Sequence, residues 1–264
     1  MLEVKNISKT FNPGTINEKH ALTNLSLSLN DGDFVTVIGG NGAGKSTLLN
    51  AVAGVWPVDG GAVIIDGKDV TGMPEYKRAK YIGRVFQDPM MGTAPNMQIE
   101  ENLALAYRRG KKRGLRWGVT AAEREFYREK LATLGLGLED RLTAKVGLLS
   151  GGQRQALTLL MASLQTPKLL LLDEHTAALD PATAQKVLEL SDRIISENKL
   201  TALMITHNMS DAIRHGNRLI MMDRGRIVLD ISGEEKKRLT KADLLARFAE
   251  KAGVQEETDS VLLS

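Results

Sequence analysis

Phe34-Val35-Thr36-Val37-Ile38 runs straight into Gly39-Gly40-Asn41-Gly42-Ala43-Gly44-Lys45-Ser46-Thr47, and the residues beyond follow a helical pattern. An apolar strand, a glycine-rich loop and a helix start, in that order, make a cradle for phosphate. Glycines let the loop wind so that successive backbone N–H groups point inward at a polyphosphate. Lys45 is placed to bridge its outer phosphates, and the Ser46 hydroxyl to ligate Mg²⁺ at the positive end of the helix. A glycine-rich turn ahead of an ordinary helix would account for the glycines, but not for the Lys-Ser pair at this spacing.

Outside this loop the composition is ordinary for a globular protein. The 264 residues are 42% hydrophobic and 25% charged, enough to bury a sizeable core in one domain or in two lobes that fold together. No apolar stretch approaches the roughly 20 residues of a membrane-spanning helix. Met1-Leu2-Glu3-Val4-Lys5-Asn6 lacks the charged-then-apolar layout of a secretion signal, so a cytoplasmic location is expected. The absence of cysteine rules out disulfides and thiolate metal sites. A net charge of +3 is too weak a bias to argue for nucleic acid.

Leu2-Glu3-Val4-Lys5-Asn6-Ile7 and Leu25-Ser26-Leu27-Ser28-Leu29 alternate as half-buried antiparallel strands do. Leu169-Leu170-Leu171-Leu172 and Ala202-Leu203-Met204-Ile205 are continuous apolar runs, which suits parallel strands covered on both faces. From about Asp88 to Ser150 helical patterns replace strand signals, at Ile99 to Ala106 and Ala121 to Leu134. A last strand pair is expected around Arg218 to Met222 and Arg226 to Ile231, then one short amphipathic helix, Lys241 to Lys251, and a polar tail. The expectation is an α/β fold with a smaller sheet beside the main one.

Leu169 to Leu172 lead into Asp173-Glu174, two carboxylates at the carboxyl end of a buried strand, where ligands of open α/β sheets bind. Asp173 can hold Mg²⁺ through coordinated water, and Glu174 can polarise the water that attacks the γ-phosphate. Acidic residues also end strands as plain helix caps. Leu149-Ser150-Gly151-Gly152-Gln153 reads locally as a capping box, Ser150 with Gln153, opening a helix. A cap does not call for two adjacent glycines, each costing a helix of order 1 kcal/mol. Close approach of a phosphate to bare backbone explains them better, and a second phosphate-binding helix start suggests that one of the two serves a neighbour's nucleotide.

Over about Met1 to Asp230 the sequence resembles the ATP-binding cassette family, the ATPase subunits of ABC transporters. Gly39 to Thr47 looks like the Walker A loop, Gln87 in Val85-Phe86-Gln87-Asp88 like the Q-loop glutamine, and Leu149 to Gln153 like the signature. Leu169 to Glu174 looks like Walker B with its catalytic glutamate, Ala177-Ala178-Leu179-Asp180 like the D-loop, and His207 in Ile205-Thr206-His207 like the switch histidine. The resemblance implies a P-loop NTPase core with a mixed, partly parallel sheet, an N-terminal antiparallel β subdomain and an inserted helical subdomain. Within one domain over 1–264, the core takes 1–88 and 155–230, the helical subdomain 89–154, and a C-terminal helix and tail 231–264.

The same resemblance implies ATP and Mg²⁺ as ligands. Gln87 would offer a neutral oxygen to Mg²⁺ or water, and His207 would donate to the γ-phosphate and orient Glu174. Phe11 stands where an adenine-stacking tyrosine is usual, and His175 where proline usually follows Asp-Glu; the latter is expected to be a tolerated substitution and not a second base. Two subunits would close head to tail, each ATP lying between the Walker A loop of one and Ser150 to Gln153 of the other, with Asp180 across the interface. Integral membrane permeases, an extracytoplasmic solute-binding protein and a peripheral place on the inner face of the membrane follow, with uptake favoured and an amino acid as cargo. The rival is a soluble cassette acting in assembly or on ribosomes or DNA, against which stand the lack of a heptad insertion, a second cassette or a long basic tail. Arg108-Arg109-Gly110-Lys111-Lys112-Arg113-Gly114-Leu115-Arg116-Trp117 reads as a solvated loop or as a contact with anionic lipid headgroups.

Overall fold

The computed structural model describes residues 1–111 and 118–252. These form two compact units: the residues up to Arg78 together with those from Lys199 onward, and Ala79–Asn198.

The first unit opens with β1 (Leu2–Phe11) and β2 (Lys19–Leu29), paired antiparallel, then the buried β3 (Phe34–Ile38) and α1 (Lys45–Ala53). β4 (Gly60–Ile65) and β5 (Lys68–Asp69) make a hairpin, and α2 is Glu75–Arg78. Asp66 and Gly67 join the two strands with φ of +52° and +74°, the paired positive values of a tight hairpin turn. The antiparallel sheet runs β2-β1-β4-β5, as the alternation of the first strands leads one to expect. β2 is longer than that alternation shows, starting at Lys19, because Thr10 and Phe11 pair with His20 and Lys19.

In the second unit β6 (Ile82–Val85) is followed by α3 (Ile99–Tyr107), α4 (Ala121–Ala132) and α5 (Gly151–Ser163), then β7 (Leu169–Asp173) and α6 (Pro181–Glu197). β6 and β7 pair in parallel, Ile82 to Val85 opposite Leu169 to Leu172. The four leucines of β7 are fully buried, as a strand with two covered faces requires. Helices α3 and α4 stand where the helical patterns were read, α4 ending at Ala132 and not at Leu134. Capping boxes open both, Gln98 with Glu101 and Thr120 with Glu123.

The chain then returns to the first unit with β8 (Ala202–Ile205), α7 (Met209–Arg214), β9 (Arg218–Asp223), β10 (Arg226–Ser232), α8 (Gly233–Arg238) and α9 (Lys241–Ala252). β3 pairs in parallel with β8 on one side and β9 on the other; β9 and β10 form an antiparallel hairpin. Helix α8 is an addition to the single C-terminal helix expected. It carries Lys236, 3% exposed, whose ammonium donates to the carbonyls of Ile213 (3.2 Å), His215 and Gly216 (2.8 Å) at the C-terminal end of α7. Leu239, Leu244 and Phe248 then complete a core with Ile38, Met209, Ala212, Leu219, Met221, Leu229 and Ile231.

Candidate functional site

In the first unit β3 delivers the chain to Gly39 through five buried residues. Gly39 has φ +150°, and a side chain there would strike the Met222 carbonyl. Gly44, the residue before α1, is left-handed at φ +99°, and a Cβ would come within 2.5 Å of the Ala21 carbonyl. Only glycine fits either place. The loop is pinned as well: Ala43 N–H donates to Gly40 O at 3.2 Å, and Gly225, in the turn between β9 and β10, donates to Ala43 O at 2.9 Å.

Lys45 is 5% exposed, and its ammonium donates to Gly39 O (2.7 Å) and Gly40 O (3.1 Å), so the cation is held against the loop it follows. Asn41, Gly42 and Ser46 are exposed and Thr47 is half-buried. No acidic side chain occupies the first turn of α1, which leaves the positive end of the helix to an anion. At the other end of α1, Arg78 is 2% exposed and spreads its guanidinium over four carbonyls: Ala51 (2.8 Å), Val52 (2.9 Å), Thr71 (2.8 Å) and Met73 (2.7 Å). Burial lowers the Arg78 pKa from its ordinary value, but an arginine remains charged.

The same unit holds His207, exposed just past β8; the next residue, Asn208, caps α7 by accepting from Ser210 N (2.8 Å) and Asp211 N (3.2 Å). Phe11 ends β1, half-buried, edge-on to Trp56 with ring centroids 5.0 Å apart. Trp56 was not singled out in the sequence.

The second unit carries the carboxylates. Asp173 closes β7 half-buried, with Arg84 Nη2 of β6 at 3.3 Å from its Oδ2. Glu174 follows at φ +46° and 9% exposed. Gln87 is exposed two residues past β6, and the carbonyl before it, Phe86 O, accepts from the buried Gln155 amide at 3.1 Å. Arg84 and Gln155 carry no motif that would flag them, because their partners lie far along the chain.

Ser150 caps α5 as read: its hydroxyl accepts from Gln153 N at 3.3 Å while Gln153 Oε1 accepts from Ser150 N at 3.2 Å. Gly151 and the Ser150 side are exposed, but Gly152 faces α6, where an added Cβ would run into the Thr183 methyl. Part of the demand for glycine here thus comes from helix packing, in addition to any phosphate. Asp180 caps α6 by accepting from Thr183 N at 3.0 Å with Pro181 next, and hydrogen bonding to Thr183 holds its carboxyl below the ordinary value.

The basic stretch is partly spent inside this unit. Arg108 grips both oxygens of Glu123 (2.7 and 2.9 Å), Arg109 donates to Ala162 O at 3.0 Å with its pKa lowered by burial, and the Lys111 ammonium sits 3.8 Å from the Tyr107 ring centre. Lys112 to Trp117 lie outside the described residues.

A family model described as ABC transporter matches residues 22–177, which span the glycine loop, Gln87, Ser150 to Gln153 and Asp173-Glu174. The chain belongs to the ABC transporter family. A tyrosine transport ATP-binding protein of Clostridioides difficile is 46% identical over 253 residues, covering 94% of this chain and 98% of that one. A spermidine/putrescine import ATP-binding protein of Haemophilus influenzae is 32% identical over 258 residues, 98% of this chain and 65% of the relative. A dimeric ATP-binding cassette solved with ADP and Pi superposes with a TM-score of 0.74 at 30% identity over 88% of this chain and 98% of its own. A cassette in its ADP conformation gives 0.76 at 28% identity over 94% and 98%. The fold is that of the P-loop NTPase cassette, and the chain is an ATP-binding, ATP-hydrolysing subunit of an ABC transporter.

Proposed function

We propose that this chain powers import of an amino acid, with an aromatic one first in line, and that it does so as an ATP-closed homodimer on separate integral membrane permeases. One observation carries the dimer: the chain has two helix starts suited to phosphate, Gly44-Lys45 at α1 and the exposed Ser150-Gly151 at α5, where one nucleotide per chain needs a single cradle. The solved dimeric cassette and the tyrosine and polyamine relatives support the reading. No described helix is long and apolar enough to cross a membrane, so transport by this reading needs permease partners. An extracytoplasmic solute-binding protein would deliver the cargo to them, leaving this chain peripheral on the cytoplasmic side.

Lys45 and the loop amides from Gly39 to Thr47 hold the phosphates, and Phe11 offers its ring face to the adenine. Mg²⁺ takes one or two protein oxygens and completes its shell with phosphate and water, a demand that a hydroxyl, a carboxylate and an amide oxygen can meet. Ser46, Asp173 and Gln87 are the oxygens offered. When bound, Mg²⁺ neutralises charge on the β- and γ-phosphates. Glu174 takes the proton from the attacking water, and His207 donates to the γ-phosphate. Ser150 to Gln153 and Asp180 of one chain complete the site of the other.

The experiment is size-exclusion chromatography of Glu174→Gln with ATP and Mg²⁺, alongside its ATPase rate. A dimer that appears with ATP and disappears in a second variant, Lys45→Ala, is expected, with turnover nearly abolished. A Gln variant that hydrolyses at the normal rate overturns the choice of base, and a monomer fully active at every concentration overturns the shared site. Uptake of labelled tyrosine into vesicles carrying the co-purified permease tests the cargo.

A further inference from the structure

Glu174 leaves β7 in the left-handed region, which a residue with a side chain keeps only where the surroundings impose it. The next residue is fastened to a helix. His175 is 2% exposed and its Nε2 lies 2.9 Å from Ser191 Oγ, in the middle of α6. Ser191, itself 1% exposed, gives its only hydroxyl hydrogen to the Val187 carbonyl at 2.8 Å. Its oxygen can then only accept, so the proton between the two side chains belongs to His175 Nε2. Further along, Ala177 N–H donates to Glu174 O at 2.9 Å, and Asp180 is fastened to Thr183. The segment from 174 to 180 is therefore tied to α6 at both ends, and the tie nearest the carboxylate is the imidazole.

We propose that His175 is a positioning residue for ATP hydrolysis: its hydrogen bond to Ser191 anchors the peptide following Glu174 to α6, and thereby sets the direction of the Glu174 carboxylate. The ring is turned into α6, so it acts through the backbone of Glu174 and not on the nucleotide. A carboxylate displaced by about 1 Å can lose on the order of 100-fold in rate while the phosphate cradle, built on other residues, binds as before. The inference rests on Glu174 being the base of the proposed mechanism.

Steady-state ATPase kinetics of His175→Ala, Ser191→Ala, the double variant and His175→Gln test it, each with a thermal melt. The glutamine amide can put an N–H near the place of Nε2. Expected are kcat losses of about 10- to 100-fold in both alanine variants with KM for ATP within about twofold, no further loss in the double variant, and recovery of most of kcat by glutamine. Ser191→Ala removes a single buried oxygen, so it reports even if His175→Ala folds poorly. Unchanged kcat in Ser191→Ala, losses that multiply in the double variant, or KM rising in step with a falling melting temperature would overturn the proposal. If Glu174→Gln itself turned over normally, the base assignment would be what failed; if that variant is dead while Ser191→Ala keeps the parent's kcat, only the positioning role falls.

Discussion

Replacing Arg78 by methionine should destabilise the protein by several kcal/mol, about 3–5 on balance. The guanidinium makes four hydrogen bonds of 2.7–2.9 Å, two of them to the last-turn carbonyls of α1 at Ala51 and Val52. Bonds from a charged donor contribute about 1.5–3 kcal/mol each, which gives an upper range of about 6–12 kcal/mol for the set. Against this stands the cost of keeping a cation at 2% exposure, several kcal/mol that the methionine variant no longer bears. The net expected loss is about 3–5 kcal/mol, a fall in melting temperature of about 6–20 °C for a chain of this size. Arg78→Lys keeps a charge but not the planar fork, reaches fewer of the four carbonyls, and should fall between the two. Circular dichroism melts of the three proteins, with ATP affinity measured below the transition, decide it. A methionine variant melting within about 2 °C of the parent would refute the argument, because four carbonyls would then have lost their donor at no cost.

Lys45→Ala removes a charge-assisted phosphate contact of about 1.5–3 kcal/mol, so ATP affinity should drop about 10- to 100-fold in equilibrium titration. Gly152→Ala should cost about 1–3 kcal/mol by overpacking against Thr183, and Thr183→Ser, which deletes the methyl in the way, should restore the melting temperature. If ATPase activity stays low in that stable double variant, the glycine also serves the phosphate. Glu100 is held below its ordinary pKa of 4.5 chiefly by hydrogen bonding to Arg124. A carboxylate with a depressed folded-state pKa contributes stability above its unfolded value that is lost as pH falls through the folded one, so Arg124→Ala should raise the acid-unfolding midpoint, below about pH 4.5, in a fluorescence titration.

How far the sequence could be read depended on whether a residue's reason lay next to it. Leu169 to Leu172 and Ala202 to Ile205 show as parallel strands because an unbroken apolar run needs two covered faces, and all are buried. Ser150 with Gln153 and Asp180 with Pro181 show as helix starts because capping is local. Helix α8 does not show, since Gly233-Glu234-Glu235-Lys236-Lys237-Arg238 has the pattern of a solvated charge run and only the fold reveals that Lys236 is its buried residue. The hairpin at Asp66-Gly67 is local in the same sense as the caps, an acidic residue and a glycine with paired positive φ between short strands. Arg78, Arg84, Gln155 and His175 are single letters whose partners stand up to 89 positions away, as Arg84 and Asp173 do, and no periodicity connects them.

The Lys236 anchor makes the end of the described chain part of the machine. Cutting after Ser232 would strip the cation from the carbonyls of Ile213, His215 and Gly216, and remove Leu239, Leu244 and Phe248 from their packing on Met209 and Ala212. Both ends of α7 would come loose, and α7 begins two residues past His207. A trimmed version made for crystallisation would therefore report a histidine with slack behind it, and its hydrolysis rate would describe the truncation instead of the enzyme.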